Sequence, residues 1–439
     1  MIIINDRIRK IIARDKKVMF TTSREHYPFV VERASGDYAY DIAGNRFIDF
    51  SSFIGVYTLG DNANEEIRQA VKRQVDKLMH PAFLDFFSEM PVRFAEKLVG
   101  MFPKGFGRVF FSNSGAEANE DGIKLARIFT RRQYLLSFYN SFHGRTLGAL
   151  GLTASKAIQR KHFGPMPNVI HVPYPYPYRC PFNTDSAEEC ADACIDYIES
   201  NVFAKEAAPD EIAAIFIEPV QGEGGYIVPP KRFMQKLRKL TSDNGIMLVD
   251  DEIQAGYMRT GKFLALDNFG VDADIYTMAK ALGGGVPIGA TIARRSLGDS
   301  KPGEHAGTFG GNLLAIAAAE ASLDYVNKNM KMLQDAVKTK GEFVMDRLRE
   351  MMDDYDIIGD VRGIGLMIGM EFVKDKRSKE PAVAEREKIV DGCFRNGLLL
   401  LPAGVSTIRI IPPITMSMEN MEKGMDVLEK VIKSTAKAR

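Results

Sequence analysis

The segment DIYTMAKALGGG, residues 274–285, joins an apolar run to a single lysine and a tract of small residues. The run predicts a buried strand, so Lys280 stands where that strand ends. A lysine in such a place is most often a surface charge. The alternative is a nucleophilic amine on a rigid element beside a glycine-lined space. The sequence on either side has to decide between the two.

Short apolar runs alternate with helical patterns around this segment, from about residue 108 to residue 293. Runs that are apolar on both faces are typical of parallel strands buried between layers of helices. We therefore predict an α/β fold with a central, mostly parallel sheet. The runs are RVFF, YLLSF, IAAIFIE, GIMLVD, DIYTMA and IGATIA.

The two ends of the chain predict a second, smaller α+β domain. The segment 37–50 has alternating apolar residues around a Gly-Asn turn. Beyond residue 315, two helical stretches precede short strands around GIGLMIGMEF and IRIIPP, and an amphipathic stretch closes the chain. A chain of 439 residues is too long for one ordinary core. The predicted ranges are 66–322 for the large domain, and 1–65 with 323–439 for the small one.

The composition excludes several classes of partner. Lys plus Arg number 58 against 57 acidic residues, a net charge of +1, so we expect neither nucleic acid nor an anionic membrane as a partner. No run of 18 apolar residues occurs, and charge soon interrupts the apolar N-terminus, so we expect no membrane span and no signal peptide. Four cysteines are too few for a disulfide framework, which favours a reducing compartment, the cytoplasm.

Three of the cysteines, Cys180, Cys190 and Cys194, lie close together in the sequence. Their spacing matches no zinc pattern, and no nearby histidine completes a tetrahedral site. We predict that they have packing roles and that the protein has no metal site. The segment VPYPYPYRCPF, residues 172–182, predicts an extended surface loop.

The segment SNSGAE, residues 112–117, follows one predicted strand and begins a helix. Ser114 and Glu117 have the spacing of a capping box, which is sufficient to explain them without a ligand. The small residues Gly115 and Ala116 also leave backbone N–H groups accessible at a helix N-terminus, where phosphate groups bind. Both interpretations remain open from these residues alone.

Other phosphate motifs are absent or out of register. The sequence contains no G-x-x-x-x-G-K-[ST] loop, which argues against hydrolysis of nucleoside triphosphates. The glycines of RGIGLMIGM, residues 362–370, do not have the spacing of a dinucleotide fingerprint, and no suitable helix follows them. We therefore do not predict a dinucleotide site.

Three acidic residues, Asp250, Asp251 and Glu252, end the apolar run GIMLV. The carboxyl ends of strands in an open α/β sheet are where ligands bind, although acids there also cap helices. Asp251 precedes Lys280 by 29 residues, close to the length of one βαβ unit. We therefore expect a carboxylate and an amine on nearby strands, at the same edge of the sheet.

An amine, a carboxylate and a phosphate site at one sheet edge are what pyridoxal phosphate requires. Its aldehyde forms a Schiff base with a lysine, and an acid keeps its ring nitrogen protonated. Phe142, in the segment FHGRT, supplies an aromatic ring that can stack on the pyridine. The sequence thus favours Lys280 as a nucleophile.

At this point the chain resembles the class III aminotransferases, which are fold-type I pyridoxal-phosphate enzymes, and among them the 4-aminobutyrate aminotransferases. The similarity extends from DIAGNRFIDF to IRIIPPIT. The resemblance implies transfer of an amino group from an ω-amino acid or another amino acid to 2-oxoglutarate or a similar keto acid. The motifs that carry it, in the family's order, are NSGAEANEDGIKLAR, SFHGRT, EPVQGEGG, DDEIQAGYMRTG, MAKALGGGVPIGA and GTFGGN.

The resemblance also implies a role for each matching position. Lys280 would be the Schiff-base lysine and proton shuttle, and Asp251 would pair with the pyridine nitrogen. Phe142 and Ile253 would cover the two faces of the ring. Thr308 would reach the phosphate in the neighbouring subunit, which implies a homodimer. The full set of implied cofactor-binding residues is Gly115, Ala116, Phe142, His143, Glu218, Asp251, Ile253, Gln254, Lys280 and Thr308.

The resemblance also implies that two arginines bind the substrate. Arg409 resembles the family residue that binds an α-carboxylate, for which a planar guanidinium is well suited. Glu223 would pair with Arg409 when an ω-amino acid is bound and move away for an α-keto acid. Arg145 and Ile54 resemble the pair that contacts the distal carboxylate, and the alternative for Arg145 is an ordinary salt bridge.

An amino-acid racemase or epimerase on the same scaffold is the alternative function. It would share the cofactor, Lys280 and Asp251, and would differ only in where the substrate carbanion is reprotonated. The PYPYRCPF loop also resembles that of some amino-acid racemases. A non-catalytic scaffold is disfavoured because both residues are intact.

Overall fold

The fold is taken from a computed structural model, which describes residues 2–22, 27–164 and 168–437. Over these ranges the chain forms fifteen strands and twelve helices. The strands are β1 (Val31–Ser35), β2 (Tyr38–Asp41), β3 (Arg46–Asp49), β4 (Phe106–Ser112), β5 (Tyr134–Phe138), β6 (Val169–Val172), β7 (Ile212–Ile217), β8 (Met247–Asp251), β9 (Ile275–Met278), β10 (Gly289–Arg294), β11 (Ile358–Ile364), β12 (Met367–Phe372), β13 (Leu398–Leu399), β14 (Leu401–Ala403) and β15 (Thr407–Ile410).

The helices vary in length from one turn to 42 residues. Short 3-10 turns and one π-helical segment, Ile198–Phe203, supplement them. The helices are α1 (Asp6–Val18), α2 (Ser52–Gly55), α3 (Gly60–Val75), α4 (Glu89–Val99), α5 (Gly115–Thr130), α6 (Leu147–Leu152), α7 (Ala157–Arg160), α8 (Ala187–Tyr197), α9 (Lys231–Asp243), α10 (Leu313–Asp354), α11 (Val383–Arg395) and α12 (Met418–Lys437).

The central sheet has the order β4-β10-β9-β8-β7-β5-β6. Strand β10 is antiparallel to both of its neighbours, and every other neighbouring pair in this sheet is parallel. Strands β7, β8 and β9 are buried along their whole length, as expected for strands covered on both faces. The prediction of an α/β fold with a mostly parallel sheet is confirmed. Strand β6 was not predicted, because VIHV is short and contains a histidine.

Two four-stranded sheets come from the ends of the chain. One has the order β1-β2-β3-β13 and so joins N-terminal strands to a C-terminal strand, and the other has the order β11-β12-β15-β14. The glycines of RGIGLMIGM lie in the β11–β12 hairpin, away from any helix N-terminus. Helix α10 replaces the two predicted helices and bends at Asn329. The predicted domain boundaries fall inside α3 and α10 and stay predictions.

The VPYPYPYRCPF segment is packed against the protein, so the prediction of a surface loop is wrong for its first half. Tyr174 and Tyr176 are 2% and 9% exposed. The hydroxyl of Tyr174 donates to the carbonyl of Glu218 at 3.1 Å, and that of Tyr176 bonds to the carboxylate of Glu371. The rings fill apolar space while each hydroxyl finds a partner, an arrangement that the local composition does not reveal.

Cys180 and Cys190 form a disulfide, with their Cα atoms 5.9 Å apart. The prediction of packing roles alone is therefore wrong for this pair, because the turn Pro177–Arg179 brings Cys180 against the first turn of α8. Cys194 is buried and free, as predicted. The cysteine count no longer argues for a reducing compartment. No helix among the described residues has the length and apolar character needed to cross a membrane.

Replacing both disulfide cysteines with alanine should lower the free energy of unfolding by about 2–3 kcal/mol, because the bond closes a short loop and restricts the unfolded chain. Urea denaturation with and without reductant measures this effect. Reductant should destabilise the wild-type protein and leave the double variant unchanged. Equal stability of the wild-type protein under both conditions would contradict the prediction.

Candidate active site

A cavity of about 460 Å³ lies where the strands of the central sheet end. Its walls come from the segments that follow the carboxyl ends of β4, β5, β7, β8 and β9, together with the segment that leads into β10. This is the sheet edge where α/β proteins bind ligands. The lining residues are Val56, Asn113, Ser114, Gly115, Ala116, Phe142, His143, Gly144, Arg145, Glu218, Asp251, Ile253, Gln254, Ala279, Lys280, Gly285, Val286, Pro287 and Ile288.

Lys280 lines this cavity and is not a free surface charge. It begins a 3-10 turn directly after β9, and its φ of +45° lies in the left-handed region that non-glycine residues seldom occupy. Such local strain is concentrated at functional sites. Burial lowers the pKa of the Lys280 amine, against the opposing effect of Asp251 and Glu218. The amine therefore loses its proton more readily than an exposed lysine does.

Asp251 ends β8 and is held by a network of hydrogen bonds. Its Oδ2 atom accepts from the Asn119 side-chain amide at 2.8 Å and lies 2.8 Å from Nδ1 of His143. Its Oδ1 atom accepts from the backbone N–H of Ile253 at 3.1 Å. Asn119 is itself fixed by the Thr277 hydroxyl, which donates to its side-chain oxygen at 2.9 Å. The carboxylate is thus fixed at the cavity wall.

The turn between β4 and α5 combines a helix cap with an open N-terminus. The hydroxyl of Ser114 accepts from the backbone N–H of Glu117 at 3.2 Å, and the carboxylate of Glu117 accepts from that of Asn113 at 2.7 Å. A Cβ atom added to Gly115 would lie 2.8 Å from Cδ1 of Ile253, so a larger residue there would displace the Ile253 side chain. The first N–H groups of α5 lack intrahelical acceptors and carry the positive end of the helix dipole. They therefore suit a phosphate group.

Glu218 connects two walls of the cavity. One carboxylate oxygen accepts from the backbone N–H of Phe142 at 2.8 Å, and the other accepts from that of Gly222 at 3.0 Å. Burial raises the pKa of Glu218 to about 7, with His143 opposing the shift and Asp251 adding to it. Glu218 therefore fixes the backbone that carries Phe142.

Arg409 and Glu223 form an ion pair next to the cavity. Arg409 lies on β15, is 4% exposed, and places Nη2 at 2.6 Å from Oε2 of Glu223. The other carboxylate oxygen of Glu223 lies 2.7 Å from Nζ of Lys156. Burial acts to raise the pKa of Glu223, but Arg409 and Lys156 hold it below its ordinary value. The guanidinium of Arg409 lies 5.7 Å from the ring centre of Tyr226, whose hydroxyl donates to Gln254 on the cavity wall.

Most of the residues predicted from sequence come together in this cavity. Arg145 lines it as well, and its guanidinium lies 5.5 Å from the ring centre of Phe142. Among the described residues it has no ion-pair partner, which argues against a simple salt bridge. The predicted residues that line the cavity are Gly115, Ala116, Phe142, His143, Arg145, Glu218, Asp251, Ile253, Gln254 and Lys280.

Four predicted residues lie outside the cavity wall. Arg409 and Glu223 are adjacent to it, as described above. Ile54 is 45% exposed and sits in the left-handed turn that forms α2. Thr308 is exposed in the segment before α10 and is not among the residues that line the cavity.

Sequence reasoning missed several residues of the site. Asn119 lies one helical turn after Gly115, and its place among small residues at the start of α5 was an available signal. The hydroxyl of Tyr226 donates to Oε1 of Gln254 at 2.5 Å, and Thr277 supports Asn119. No sequence pattern marks Tyr226, Thr277 or Lys156, because each belongs to the site only through a contact with a residue distant in sequence.

Of the three acids that end β8, only Asp251 faces the cavity. Asp250 and Glu252 are 0% and 2% exposed and lie on the other face, since side chains alternate along a strand. Burial raises the pKa of Asp250 well above its ordinary value, and Glu252 adds to this effect. Burial also raises the pKa of Glu252, to about 7. Burial therefore favours the protonated form of both carboxyl groups.

The Asp250–Glu252 pair should make the protein less stable as the pH rises. Because both pKa values are raised, the folded state favours the protonated forms. Their contribution is complete below the ordinary carboxyl pKa, about 4.5, and is lost as the pH rises toward 7. The amide of Asp250→Asn can donate to Glu252. We expect this variant to reduce the pH-dependent change in the free energy of unfolding by about 1–3 kcal/mol. Asp243→Asn, on the surface, is the matched control.

Urea denaturation of these variants between pH 4.5 and pH 8 measures the effect. The free energy of unfolding of the wild-type protein and of Asp243→Asn should fall more steeply with pH than that of Asp250→Asn. Parallel profiles for all three proteins would contradict the prediction.

The cavity residues fit pyridoxal phosphate. The Nε2 atom of His143 is buried and finds no hydrogen-bond partner among the described residues, so a polar group remains unsatisfied at the cavity wall. The N-terminus of α5, at Gly115 and Ala116, lines the cavity where a phosphate would bind, and Lys280 supplies the amine. No cluster of three metal-ligating side chains occurs in the part of the chain that the structure describes.

Comparison with known proteins decides the family. The sequence model of the family described as aminotransferase class-III matches residues 19–432. The chain belongs to the class III aminotransferase family. Its cofactor is pyridoxal 5'-phosphate, and its fold is that of fold-type I enzymes. The predictions of family, fold class, enzyme class and cofactor are thereby confirmed.

Relatives within the class III family have different activities. The chain is 38% identical to the leucine/methionine racemase of Thermococcus litoralis, covering 99% of this chain and 97% of the racemase. It is 36% identical to the 4-aminobutyrate aminotransferase of Mycobacterium leprae, covering 92% of this chain and 91% of that protein. The relatives of this chain therefore include racemases as well as aminotransferases.

Solved structures support the same family. The taurine:2-oxoglutarate aminotransferase of Bifidobacterium kashiwanohense, in complex with PLP and glutamate, superposes with a TM-score of 0.90 at 28% identity. The match covers 100% of this chain and 99% of that one. The resemblance thus extends over the whole class III fold.

Proposed function

We propose that the protein transfers an amino group from an ω-amino acid similar to 4-aminobutyrate, or from another amino acid, to 2-oxoglutarate or a similar keto acid. Class III membership supports an aminotransferase, and the relatives include 4-aminobutyrate enzymes. The two half-reactions would follow each other on one enzyme, with the amino group held on the cofactor between them.

Bound pyridoxal phosphate supplies an aldehyde for an amine and a cationic ring that withdraws electrons from the substrate carbon. In our proposal Lys280 anchors the cofactor covalently. Once the substrate amine has taken its place, the freed ε-amine of Lys280 would accept a proton from the substrate carbon and pass it on. The lowered pKa of Lys280 supports this role, because a base must be neutral before it can accept a proton.

Several further groups would hold the cofactor in place. Asp251 would pair with the ring nitrogen, and its fixed position in the hydrogen-bond network supports this assignment. The first N–H groups of α5, at Gly115 and Ala116, would bind the phosphate. Gln254 would contact the ring hydroxyl, and Phe142 and Ile253 would pack against the ring.

The observation that carries the choice of substrate is the ion pair between Arg409 and Glu223. The amine-bearing carbon of an ω-amino acid carries only hydrogen where the corresponding carbon of an α-keto acid carries its α-carboxylate. Arg409 would then be left unpaired in a buried position, which is costly unless another anion neutralises it. Glu223 already does so, at 2.6 Å. A site in which Glu223 moves away for an α-carboxylate accepts both substrates. Arg145 would bind the distal carboxylate, and Ile54 would contact it.

The test is amino transfer with a panel of donors, including 4-aminobutyrate, in the presence of 2-oxoglutarate. The expected product is glutamate, formed only when donor and keto acid are both present. Failure of every donor to yield glutamate would contradict the proposal.

Amino-acid racemisation is the second candidate, and the identity to the Thermococcus litoralis racemase favours it. It needs the same Lys280 and Asp251 but no keto acid. Loss of optical activity from a single L-amino acid, with no keto acid added, would identify a racemase. The same amino-acid panel thus serves both candidates.

A homodimer is proposed for the active unit. Thr308 is exposed and does not line the cavity of its own chain, and Phe309 next to it is 57% exposed. Phe86 and Phe87 are 67% and 105% exposed, and large apolar side chains seldom remain in water without a partner surface. One chain has a mass of 48.9 kDa. Sedimentation analysis should therefore give twice this mass.

A further inference from the structure

A cluster of three charged side chains, Lys156, Glu223 and Arg409, lies beside the cavity, and Lys156 has no role in the function proposed above. The carboxylate of Glu223 bridges the two cations, with one oxygen 2.7 Å from Lys156 and the other 2.6 Å from Arg409. Arg409 is buried, whereas the side chain of Lys156 is 38% exposed. Arg409 is thus the interior cation of the cluster, and Lys156 is the cation that reaches solvent.

Lys156 is placed by backbone contacts that also position the glutamate. Two bonds join its segment to the one that precedes Phe142: Asn140 N–H donates to Ala154 O at 3.1 Å, and Ala154 N–H donates to Ser141 O at 2.9 Å. A Cβ atom added to Gly224 would lie 2.3 Å from the carbonyl oxygen of Asn140. The QGEGG loop is therefore packed directly on the same segment.

This placement matters when an α-carboxylate takes the position of Glu223 on Arg409. Glu223 then loses its buried partner while its side chain, 23% exposed, stays partly out of water. An anion left unpaired in such a place is costly. Lys156 already holds the second carboxylate oxygen, so Glu223 keeps one cation throughout the exchange.

We propose that Lys156 is a positioning residue that keeps Glu223 paired when an α-carboxylate displaces it from Arg409, and so favours substrates that carry this carboxylate. The inference rests on the proposed function, because it takes Arg409 as the α-carboxylate site. An ω-amino acid leaves the Arg409–Glu223 pair intact and does not depend on Lys156.

Calorimetric titration of the cofactor-loaded enzyme with two unreactive ligands tests this. Glutarate carries two carboxylates, and valerate has the same chain length with one. In Lys156→Met we expect glutarate to bind about tenfold more weakly and valerate to change less than twofold. Lys156→Arg should restore glutarate binding to within about threefold of wild type. Lys161→Met, which removes an exposed charge nearby, is the matched control and should bind both ligands like wild type.

A second pair of proteins separates an effect through Glu223 from a general loss of positive charge. In a Glu223→Gln background, adding Lys156→Met should change glutarate affinity less than about threefold. A tenfold loss there, or equal losses for glutarate and valerate in the single variant, or no loss for glutarate, would overturn the role of Lys156. If wild type binds glutarate no more tightly than valerate, the Arg409 site of the proposed function fails, and this inference fails with it.

Discussion

Lys280→Ala is expected to lower kcat by about 10⁴-fold, for amino transfer and for racemisation alike. The variant loses the covalent anchor of the cofactor and the base that moves the proton, and general acid–base catalysis alone contributes up to about 10⁴-fold. The position of Lys280 at the end of β9, on the cavity wall and with a lowered pKa, is the basis of this prediction. Steady-state kinetics with saturating cofactor measures it.

The control for this variant is Lys161→Met, which should retain wild-type kcat. Lys280→Arg keeps the positive charge but supplies no free amine, and should be as inactive as Lys280→Ala. A Lys280→Ala enzyme within about tenfold of wild type would contradict the assignment.

Asp251→Asn is expected to lower kcat by about 10²- to 10³-fold. The carboxylate in our proposal keeps the ring nitrogen protonated, and loss of one such electrostatic contact in an active site typically has this effect. The amide retains the size of the side chain, so the fold should be preserved. Near-ultraviolet circular dichroism and the urea midpoint verify the fold, while kcat measures the effect of losing the carboxylate charge.

The neighbouring Asp243→Asn, at the surface, should leave kcat unchanged. An Asp251→Asn enzyme with wild-type kcat and an intact fold would exclude the carboxylate as the partner of the ring nitrogen. A large decrease in both kcat and the urea midpoint would show instead that Asp251 is needed for the stability of the fold.

The sequence predicted the strands and the positions of the chemistry because these depend on local patterns. Apolar runs marked β4, β5, β7, β8, β9 and β10, and the small residues after β4 marked the helix N-terminus. Asp251 and Lys280 both follow buried strands, and parallel strands end at one edge of a sheet. Their meeting in one cavity therefore follows from topology, without any side-chain contact being known.

What the sequence did not reveal depends on contacts between distant segments. The Cys180–Cys190 bond requires the turn after β6 to pack on α8, and burial of Tyr174 requires its hydroxyl to reach Glu218. Which of the three acids faces the cavity depends on the register of one strand. The residue roles carried over from the class III resemblance stay predictions until they are measured.

Reductive labelling tests whether Lys280 carries the cofactor. The protein is incubated with pyridoxal phosphate, reduced with borohydride, digested and analysed by mass spectrometry. We expect one stable cofactor adduct, on the peptide that contains Lys280, and none in Lys280→Ala. An adduct on a different lysine, or no adduct at all in the wild-type protein, would contradict this expectation.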